Sequence, residues 1–354
     1  MPPSLAAVIV AKLGGSVLRS VSDYEQCARL ALELEARILV ASAMKGVTDA
    51  LLEAAERRNT LLLKEALERM ESAATELGAV EQVERWIVRC RKAFDAFIER
   101  RSPQLLDEVL ATGERVSCTL LAKALERWGV AAIPLDGGEA GVVTDDRFGG
   151  ARPHFETCYE RLRYALNPLL AKGFTVVVAG FTGSTLDGRT TTMGRGSSDL
   201  TATLIARALG AELLYLVTES PYLMSADPAL VPDAKPLKLI GLAEADAMAS
   251  LGVKRFHPLT FKPLFSSSCT VVVGSKPPSG TRVAVNDPPP DLKVVTQLDR
   301  KLFFVGRGAP RLASELAQEL GLPLLESGKL HFALKAPEGE KAVARAHEAM
   351  LKRW

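Results

Sequence analysis

Short apolar runs rich in valine and isoleucine alternate with helical stretches along most of this 354-residue chain. The runs cover Ala6 to Ala11, Arg37 to Ser42, Val130 to Leu135, Gly173 to Ala179, Glu212 to Thr218 and Cys269 to Val273. This alternation predicts a mainly parallel sheet with helices on both faces, because parallel strands need long crossover connections. We therefore expect an α/β fold.

Two proline clusters predict a boundary between domains. Pro277-Pro278-Ser279-Gly280 and Asp287-Pro288-Pro289-Pro290 are typical of a stiff, exposed linker. Beyond it the pattern changes to a short β-α-β-β-α unit, which is α+β in character. We expect a large domain over residues 1–286 and a small module over 291–354, and the chain length also favours two domains.

Composition narrows the class of partner. The formal net charge is only +2, which favours neither a nucleic acid nor a membrane surface as partner. No apolar run reaches the length of about 18 residues that a membrane span requires. The five cysteines and four histidines are scattered, so we predict neither a disulfide framework nor a metal site. We expect a cytoplasmic protein with a small-molecule substrate.

Two glycine-rich segments follow predicted strands and suggest phosphate binding. Lys12 with Gly14 and Gly15 ends the first strand, and glycines there let backbone N–H groups approach phosphate oxygens. The segment from Gly180 to Asp199 crowds glycines, hydroxyls and Arg195 between a strand and a helix. A helix cap alone would not require that composition. The long charged stretch between residues 48 and 101 has helical periodicity, which predicts either a helical lid beside the substrate site or a solvated helical hairpin without a functional role.

Six motifs resemble, in the same order, those of the aspartokinases in the amino acid kinase family. They are Lys12-Leu13-Gly14-Gly15-Ser16, Ser42-Ala43-Met44 with Gly46-Val47-Thr48, Gly113-Glu114-Arg115-Val116-Ser117, Thr144 to Ala151, Thr190 to Asp199, and Leu251 to Pro258. The resemblance covers nearly the whole chain. It implies an amino-acid-kinase-like fold with a small C-terminal module similar to an ACT domain.

The resemblance also implies roles for particular side chains. The catalytic residues would be Lys12, Asp199 and Lys254, the lysines neutralising phosphate charge and Asp199 orienting the catalytic lysine or acting near the metal. Arg195 would bind a substrate carboxylate, and Glu114 would accept hydrogen bonds from the substrate ammonium. The remaining substrate contacts implied are Ser42, Thr48 and Ser198. The implied nucleotide contacts are Lys12, Gly14, Gly15, Ser16, Thr218, Glu219, Ser225, Asp227 and Lys254.

The implied activity is transfer of the γ-phosphoryl of ATP, with Mg²⁺, to the side-chain carboxylate of L-aspartate. The product, 4-phospho-L-aspartate, begins lysine, threonine and methionine synthesis. No general base is required, because the acceptor carboxylate is already ionised at neutral pH. Two alternatives stay open: a kinase of the same fold that acts on homoserine or another amino acid, and a non-catalytic regulatory subunit.

The chain departs from the aspartokinase pattern in two regions. The nucleotide segment reads Thr218-Glu219-Ser220-Pro221 and ends Asp227-Pro228-Ala229, so an acidic pair and a final arginine are altered. The tail resembles only the second of two ACT modules, with its glycine-rich loop reduced to Gly306-Arg307-Gly308-Ala309-Pro310. We expect feedback inhibition by lysine or threonine to be weak or absent, and the module to pair two subunits as a homodimer.

Overall fold

The computed structural model describes residues 7–253, 256–275, 277–284, 289, 291–336 and 340–354. The chain forms two compact units, one of Met1–Glu219 with Ser266–Cys269 and the other of Ser220–Phe265 with Thr270–Trp354. The domain boundary predicted between residues 286 and 291 falls mostly on residues outside those described. It stays a prediction.

Unit 1 holds seven of the strands that the structure describes and nine of its helices. Its strands are β1 (Ile9–Leu13), β2 (Ile38–Ala41), β3 (Ala132–Leu135), β4 (Thr175–Ala179), β5 (Thr182–Ser184), β6 (Thr190–Thr192) and β7 (Leu213–Val217). Its helices are α1 (Val21–Glu33), α2 (Val47–Arg57), α3 (Thr60–Leu77), α4 (Val80–Arg100), α5 (Pro103–Leu110), α6 (Thr112–Arg127), α7 (Gly137–Ala140), α8 (Phe155–Ala171) and α9 (Ser197–Leu209).

Five strands of unit 1 form a parallel sheet in the order β7-β1-β2-β4-β3. Every residue of β2 and β4 is buried, as expected where helices cover a parallel sheet. The helix α6 packs on β2, β3 and β4, and α9 packs on β1, β2 and β7. A second helix lies against each of these, α1 against α6 and α8 against α9. The predicted α/β class is confirmed.

The charged stretch after β2 is helical, as its periodicity predicts. The helix α4 buries Val83, Ile87, Cys90 and Phe94, which recur at three- and four-residue spacing along one face. The Asn59 side chain begins α3 by accepting hydrogen bonds from the two backbone N–H groups that follow it at positions 61 and 62. Whether these helices act as a lid stays a prediction.

Unit 2 contains three strands with mixed parallel and antiparallel pairing and a four-stranded antiparallel sheet. Its strands are β8 (Leu223–Met224), β9 (Pro236–Leu237), β10 (Leu239–Gly241), β11 (Thr270–Gly274), β12 (Thr281–Ala284), β13 (Val294–Leu298), β14 (Lys301–Val305), β15 (Leu324–Ser327) and β16 (His331–Lys335). Its helices are α10 (Leu242–Ser250), α11 (Ala309–Leu320) and α12 (Glu340–Leu351). We call the described residues from 291 onward the C-terminal module.

The C-terminal module contains one strand more than the sequence predicts. Its sheet has the order β13-β14-β16-β15, with α11 between β14 and β15 and α12 after β16. The additional strand β13 pairs with β14 through a tight turn at Asp299 and Arg300, both of which have positive φ. The β-α-β-β-α prediction is therefore corrected to β-β-α-β-β-α, which agrees with a small ACT-like sheet module.

All five cysteines are thiols rather than disulfides, and all are buried. Burial raises the pKa of Cys27 and Cys269 to about 12 and that of Cys90 and Cys158 to about 11. A thiol reacts through its thiolate, so at neutral pH these groups are chemically quiet. In the described part of the chain, no helix has the length and apolar character needed to cross a membrane.

Candidate active site

The carboxyl end of the central strand β1 carries the first group of site residues. Lys12 lies in β1 between Val40 of β2 and Leu216 of β7. The turn that follows is tight, and Gly14 donates its N–H to the carbonyl of Val217 at 3.2 Å. A Cβ atom at Gly15 would lie 2.8 Å from the Ala43 carbonyl oxygen, closer than real Cβ contacts. The turn can pack this closely against its neighbours only because both positions are glycine.

The Lys12 ammonium forms an ion pair with Asp199, with Nζ and Oδ1 2.8 Å apart. Both side chains are mostly buried, 12% and 13% exposed respectively, so the pair is screened less than a surface pair. Asp199 lies in the first turn of α9, which begins after Gly196 in the left-handed conformation. The positive end of a helix dipole and a lysine thus converge at the end of β1, an arrangement that favours anionic groups.

Glu114 brings an unsatisfied carboxylate to this region. It lies in the first turn of α6, is 4% exposed, and its Oε2 has no hydrogen-bond partner among the described residues. Burial raises its pKa to about 8, although the Ala43 N–H and the Lys12 charge act in the opposite direction. A buried carboxylate oxygen without a partner is costly, and a cationic ligand would satisfy it.

Thr48 lies close to Glu114 because the helices α2 and α6 approach through glycine. A Cβ at Gly113 would lie 2.9 Å from the Ala43 Cβ and 3.8 Å from the Thr48 hydroxyl oxygen. Thr48 is half-buried in the first turn of α2. Ser42, also half-buried, donates its N–H to the Leu13 carbonyl at 3.0 Å, which fixes it beside the glycine turn.

Arg195, predicted to bind a carboxylate, already contacts one in the protein. Its Nη2 lies 2.7 Å from Oδ1 of Asp49, the residue after Thr48, and both side chains are largely exposed. Ser198 is buried and is the second residue of α9. Its Cβ would lie 2.6 Å from a Cβ at Gly180, so this glycine allows α9 to begin close to the end of β4.

The predicted nucleotide contacts divide between the two units. In unit 1, Ser16 and Thr218 are half-buried beside the ends of β1 and β7, and Glu219 is exposed with its carboxylate 3.9 Å from Lys45. In unit 2, Asp227 is exposed and accepts a hydrogen bond from the backbone N–H two residues later.

Two predicted nucleotide contacts remain, Ser225 and Lys254. Ser225 of unit 2 is fully buried, and its polar groups are bonded within that unit. Lys254 lies outside the described residues, so its predicted role is not tested. The structure therefore brings together Lys12, Asp199, Glu114, Thr48 and Ser42 in unit 1.

Sequence reasoning misses a buried polar network beside these residues. Asp107 is fully buried and accepts hydrogen bonds from the N–H of Gly149 and from both the N–H and hydroxyl of Thr192. Arg115, next to Glu114, is buried and pairs with Glu108 and with Asp136. Charged residues inside the apolar stretch 103–121 are the signal that could reveal this network.

A parallel α/β sheet with a lysine, a glycine turn and a helix N-terminus at one strand end defines a protein of the phosphate-binding kinase class. The chain belongs to the amino acid kinase family, whose sequence profile matches residues 7–275. The membership predicted from six motifs is thereby confirmed.

The relatives that the chain resembles are aspartokinases. It is 35% identical over 286 residues to lysine-sensitive aspartokinase 3 of Escherichia coli, an alignment that covers 77% of this chain and 62% of that protein. It is 41% identical over 153 residues to the aspartokinase of Thermus thermophilus, covering 43% of this chain and 36% of that protein. The chain thus spans less than two thirds of the length of these relatives.

A solved structure agrees with the sequence comparison. Aspartokinase III of E. coli in complex with aspartate and ADP superposes with a TM-score of 0.75 at 29% sequence identity. The superposition covers 94% of this chain and 79% of that one. The predicted resemblance to the aspartokinases is confirmed.

Proposed function

We propose that this protein transfers the γ-phosphoryl of ATP to the side-chain carboxylate of L-aspartate and forms 4-phospho-L-aspartate, the first step of lysine, threonine and methionine synthesis. One observation supports it most: the Lys12–Asp199 pair lies at the end of β1 near the buried, unpartnered carboxylate of Glu114. The E. coli relative in complex with aspartate and ADP supports this proposal, because aspartate is the proposed acceptor and ADP the proposed nucleotide product.

Each charge of aspartate has a complementary group in unit 1. The substrate ammonium would donate to the unpartnered Oε2 of Glu114, which removes the cost of leaving that oxygen without a partner. One carboxylate would bind the planar guanidinium of Arg195 in a two-pronged fashion. Thr48, Ser42 and Ser198 supply hydroxyls for the other carboxylate. These contacts would place the acceptor oxygen for attack on the γ-phosphorus. Such positioning supplies much of the rate acceleration in enzymatic phosphoryl transfer.

Lys12 would stabilise the charge that develops as the phosphoryl group leaves ADP. A compact ammonium suits this task, and Asp199 at 2.8 Å holds it in position. The acceptor carboxylate is ionised at neutral pH, so no residue has to remove a proton from it. The same role proposed for Lys254 rests on the family resemblance.

The nucleotide would bind along the ends of β1 and β7. The glycine turn would let phosphate oxygens approach the backbone closely, because Gly14 and Gly15 carry no side chains there. Ser16, Thr218, Glu219 and Asp227 are the further contacts proposed. Mg²⁺ would neutralise the phosphate charge and be held chiefly by the nucleotide, as is usual for this ion. Asp199 is the carboxylate of this site nearest to Lys12.

The decisive experiment measures ADP release by the purified chain with Mg-ATP and, separately, aspartate, homoserine, glutamate and cysteate. We expect turnover with aspartate and formation of an acyl phosphate that hydroxylamine traps. Turnover with homoserine alone would replace the proposed acceptor. A chain that binds ATP without turning over any acceptor would be a regulatory subunit.

Two variants test the assignment of the site residues. Arg195→Ala should raise the KM for aspartate by about 10- to 100-fold, since a charged hydrogen bond to substrate is lost. Lys12→Ala should lower kcat by about 100-fold or more, as expected for a group that acts on the transition state. Arg189→Ala, which removes a half-buried arginine of the same loop that pairs with Asp187, is the control and should change neither parameter by more than about twofold. Normal kinetics in both test variants would refute the assignment.

We also propose that the chain is a homodimer that pairs through its C-terminal module. The strand β15 is the outer strand of the module sheet, all four of its residues are exposed, and Leu325 is 47% exposed. An open, apolar strand edge is a template for pairing. Leu325→Lys should shift the mass measured by light scattering from dimer to monomer, whereas Leu61→Lys on α3 should not. A monomeric wild type would overturn this proposal.

A further inference from the structure

The loop between β8 and β9 completes the hydrophobic core of the C-terminal module. We call residues 225–235 the 225–235 loop. Its Ala226, Val231 and Ala234 are buried in one cluster with Phe304, Phe332 and other residues of the module, all within unit 2. The loop also carries Asp227, which is exposed. The loop that carries the predicted nucleotide contacts Ser225 and Asp227 is thus anchored in the core of the C-terminal module.

Ser225 begins this loop and has all of its polar groups occupied. Its N–H donates to the Lys235 carbonyl at 2.8 Å, and its carbonyl accepts the N–H of Val295, in β13, at 2.9 Å. Its hydroxyl oxygen accepts the Lys235 N–H at 2.7 Å and lies 2.7 Å from Nε2 of His347. Ser225 is fully buried, so its side chain faces protein on every side.

His347 reaches Ser225 from the last helix, α12. It is 1% exposed, and the bond to Ser225 spans 122 residues of sequence. Burial lowers the pKa of this imidazole, Lys235 also lowers it and Asp233 raises it. A hydrogen bond between a buried, neutral histidine and a hydroxyl fixes the relative orientation of the two side chains. The apolar contacts around it do not, because apolar packing has no preferred direction.

We infer that His347 is a positioning residue for the nucleotide: through Ser225 it holds the 225–235 loop in the conformation that presents Asp227. Ser225 then acts as the anchor of the loop instead of touching the nucleotide itself. This inference rests on the proposed function, because the nucleotide role of the loop comes from the family resemblance. It gives the C-terminal module a task independent of any regulatory ligand.

Steady-state kinetics of four variants test the inference. His347→Ala should raise the KM for ATP by about tenfold, the scale of one lost buried hydrogen bond, with kcat at saturating ATP and the KM for aspartate within about twofold of wild type. His347→Gln, which keeps a donor and an acceptor, should recover most of the loss. Ser225→Ala, which also loses the bond from the Lys235 N–H, should raise the KM for ATP at least as much as His347→Ala, and the double variant should add no further increase beyond Ser225→Ala.

A control variant, Met350→Ala, separates a positioning role of His347 from a loss of stability. Met350 lies in the same helix and is buried in the same cluster, and it has no polar group. Met350→Ala should lower the thermal midpoint at least as much as His347→Ala, yet leave the KM for ATP within about twofold well below that midpoint. Equal increases of the KM for ATP in Met350→Ala and His347→Ala would overturn the inference, as would no increase in His347→Ala.

Hydrogen exchange provides a reading that does not depend on activity. Without nucleotide, peptides covering residues 226–234 should exchange faster in His347→Ala than in Met350→Ala when both are compared with wild type. If the wild type proved unable to use ATP, the proposed function would fail while this exchange result still decided the anchor. Equal exchange in all three proteins would refute the anchor even in an active enzyme.

Discussion

At the scale of single residues, the site carries two carboxylates whose present state differs from the one that catalysis would need. Glu114 is buried without a full set of partners, and Asp49 occupies the guanidinium of Arg195. The types of residue at the site follow from the sequence motifs. Their pairing does not, because it depends on which helix N-termini meet across the sheet edge.

Glu114 should make the protein less stable as pH rises. Its pKa of about 8 in the folded chain lies above the ordinary value of 4.5, so the folded state binds more protons between these values. Stability should therefore fall as pH rises from about 5 to about 8 and stay lower above that. Glu114→Gln should remove this slope and be more stable than wild type by a few kcal/mol above about pH 8.

Thermal unfolding of both proteins across this pH range measures the effect. A difference that does not change with pH would contradict the assignment of the slope to Glu114. The same variant should bind aspartate more weakly, since a neutral amide attracts the substrate ammonium less than a carboxylate does. Stability and substrate binding are thus expected to change in opposite directions.

Asp49 should compete with the substrate for Arg195. Asp49→Asn removes the competing charge, and we expect the KM for aspartate to fall about two- to fivefold with kcat unchanged, the scale of an exposed ion pair. Glu53→Gln, the same loss of charge one turn further along α2, is the matched control and should have no effect. A higher KM in Asp49→Asn would mean that Asp49 binds the substrate ammonium instead.

At the scale of elements, the sequence predicts the strands and helices of the sheet well and the connections poorly. The predicted runs at Arg37 to Ser42 and Gly173 to Ala179 became β2 and β4, because buried parallel strands are continuous in apolar residues. The strand β13 was missed. It directly follows the proline-rich segment, and its hairpin turn uses Asp299 and Arg300 at positive φ, where glycine or asparagine is the usual signal.

The hairpin of β5 and β6 should depend on Asp107. This carboxylate holds the N–H of Gly149 and of Thr192, three residues before Arg195. Asp107→Asn keeps one acceptor oxygen where the carboxylate has two, so we expect the KM for aspartate to rise about tenfold and the thermal midpoint to fall by several degrees.

Tyr24→Phe is a control for the loss of stability alone. It removes the buried hydrogen bond between the Tyr24 and Ser117 hydroxyls, which lies away from Arg195 in sequence and contacts. It should lower the midpoint without changing the KM for aspartate. The same kinetic change in both variants would show that Asp107 acts only through general stability.

At the scale of the whole molecule, the loop after β14 in the C-terminal module is hydrogen-bonded to another part of unit 2. The backbone N–H of Arg307, in the reduced glycine loop, donates to the buried carboxylate of Glu244 at 3.0 Å. A carboxylate of the protein therefore occupies a backbone donor of this loop. The sequence predicts the reduced glycine loop of this module, but not that Glu244 of α10 bonds to the loop.

Feedback inhibition should accordingly be absent. We expect lysine or threonine at about 1 mM to change the rate by less than about 20%, since an effector must bind two states differently to shift them. Initial rates with each amino acid, at aspartate near its KM, measure this directly. Strong inhibition by either one would show that a regulatory site persists in the module or elsewhere in the protein.

The burial of every cysteine has a practical consequence for spectroscopic study of ligand binding and conformational change in solution. Maleimide dyes should label the folded wild type slowly, because none of the five thiols is both exposed and ionised at neutral pH. A single cysteine placed on the exposed outer face of α4 or at the exposed Leu186 would then carry a fluorophore at one defined position without removing any native residue from the core. The chain is in effect a ready background for single-site spectroscopy.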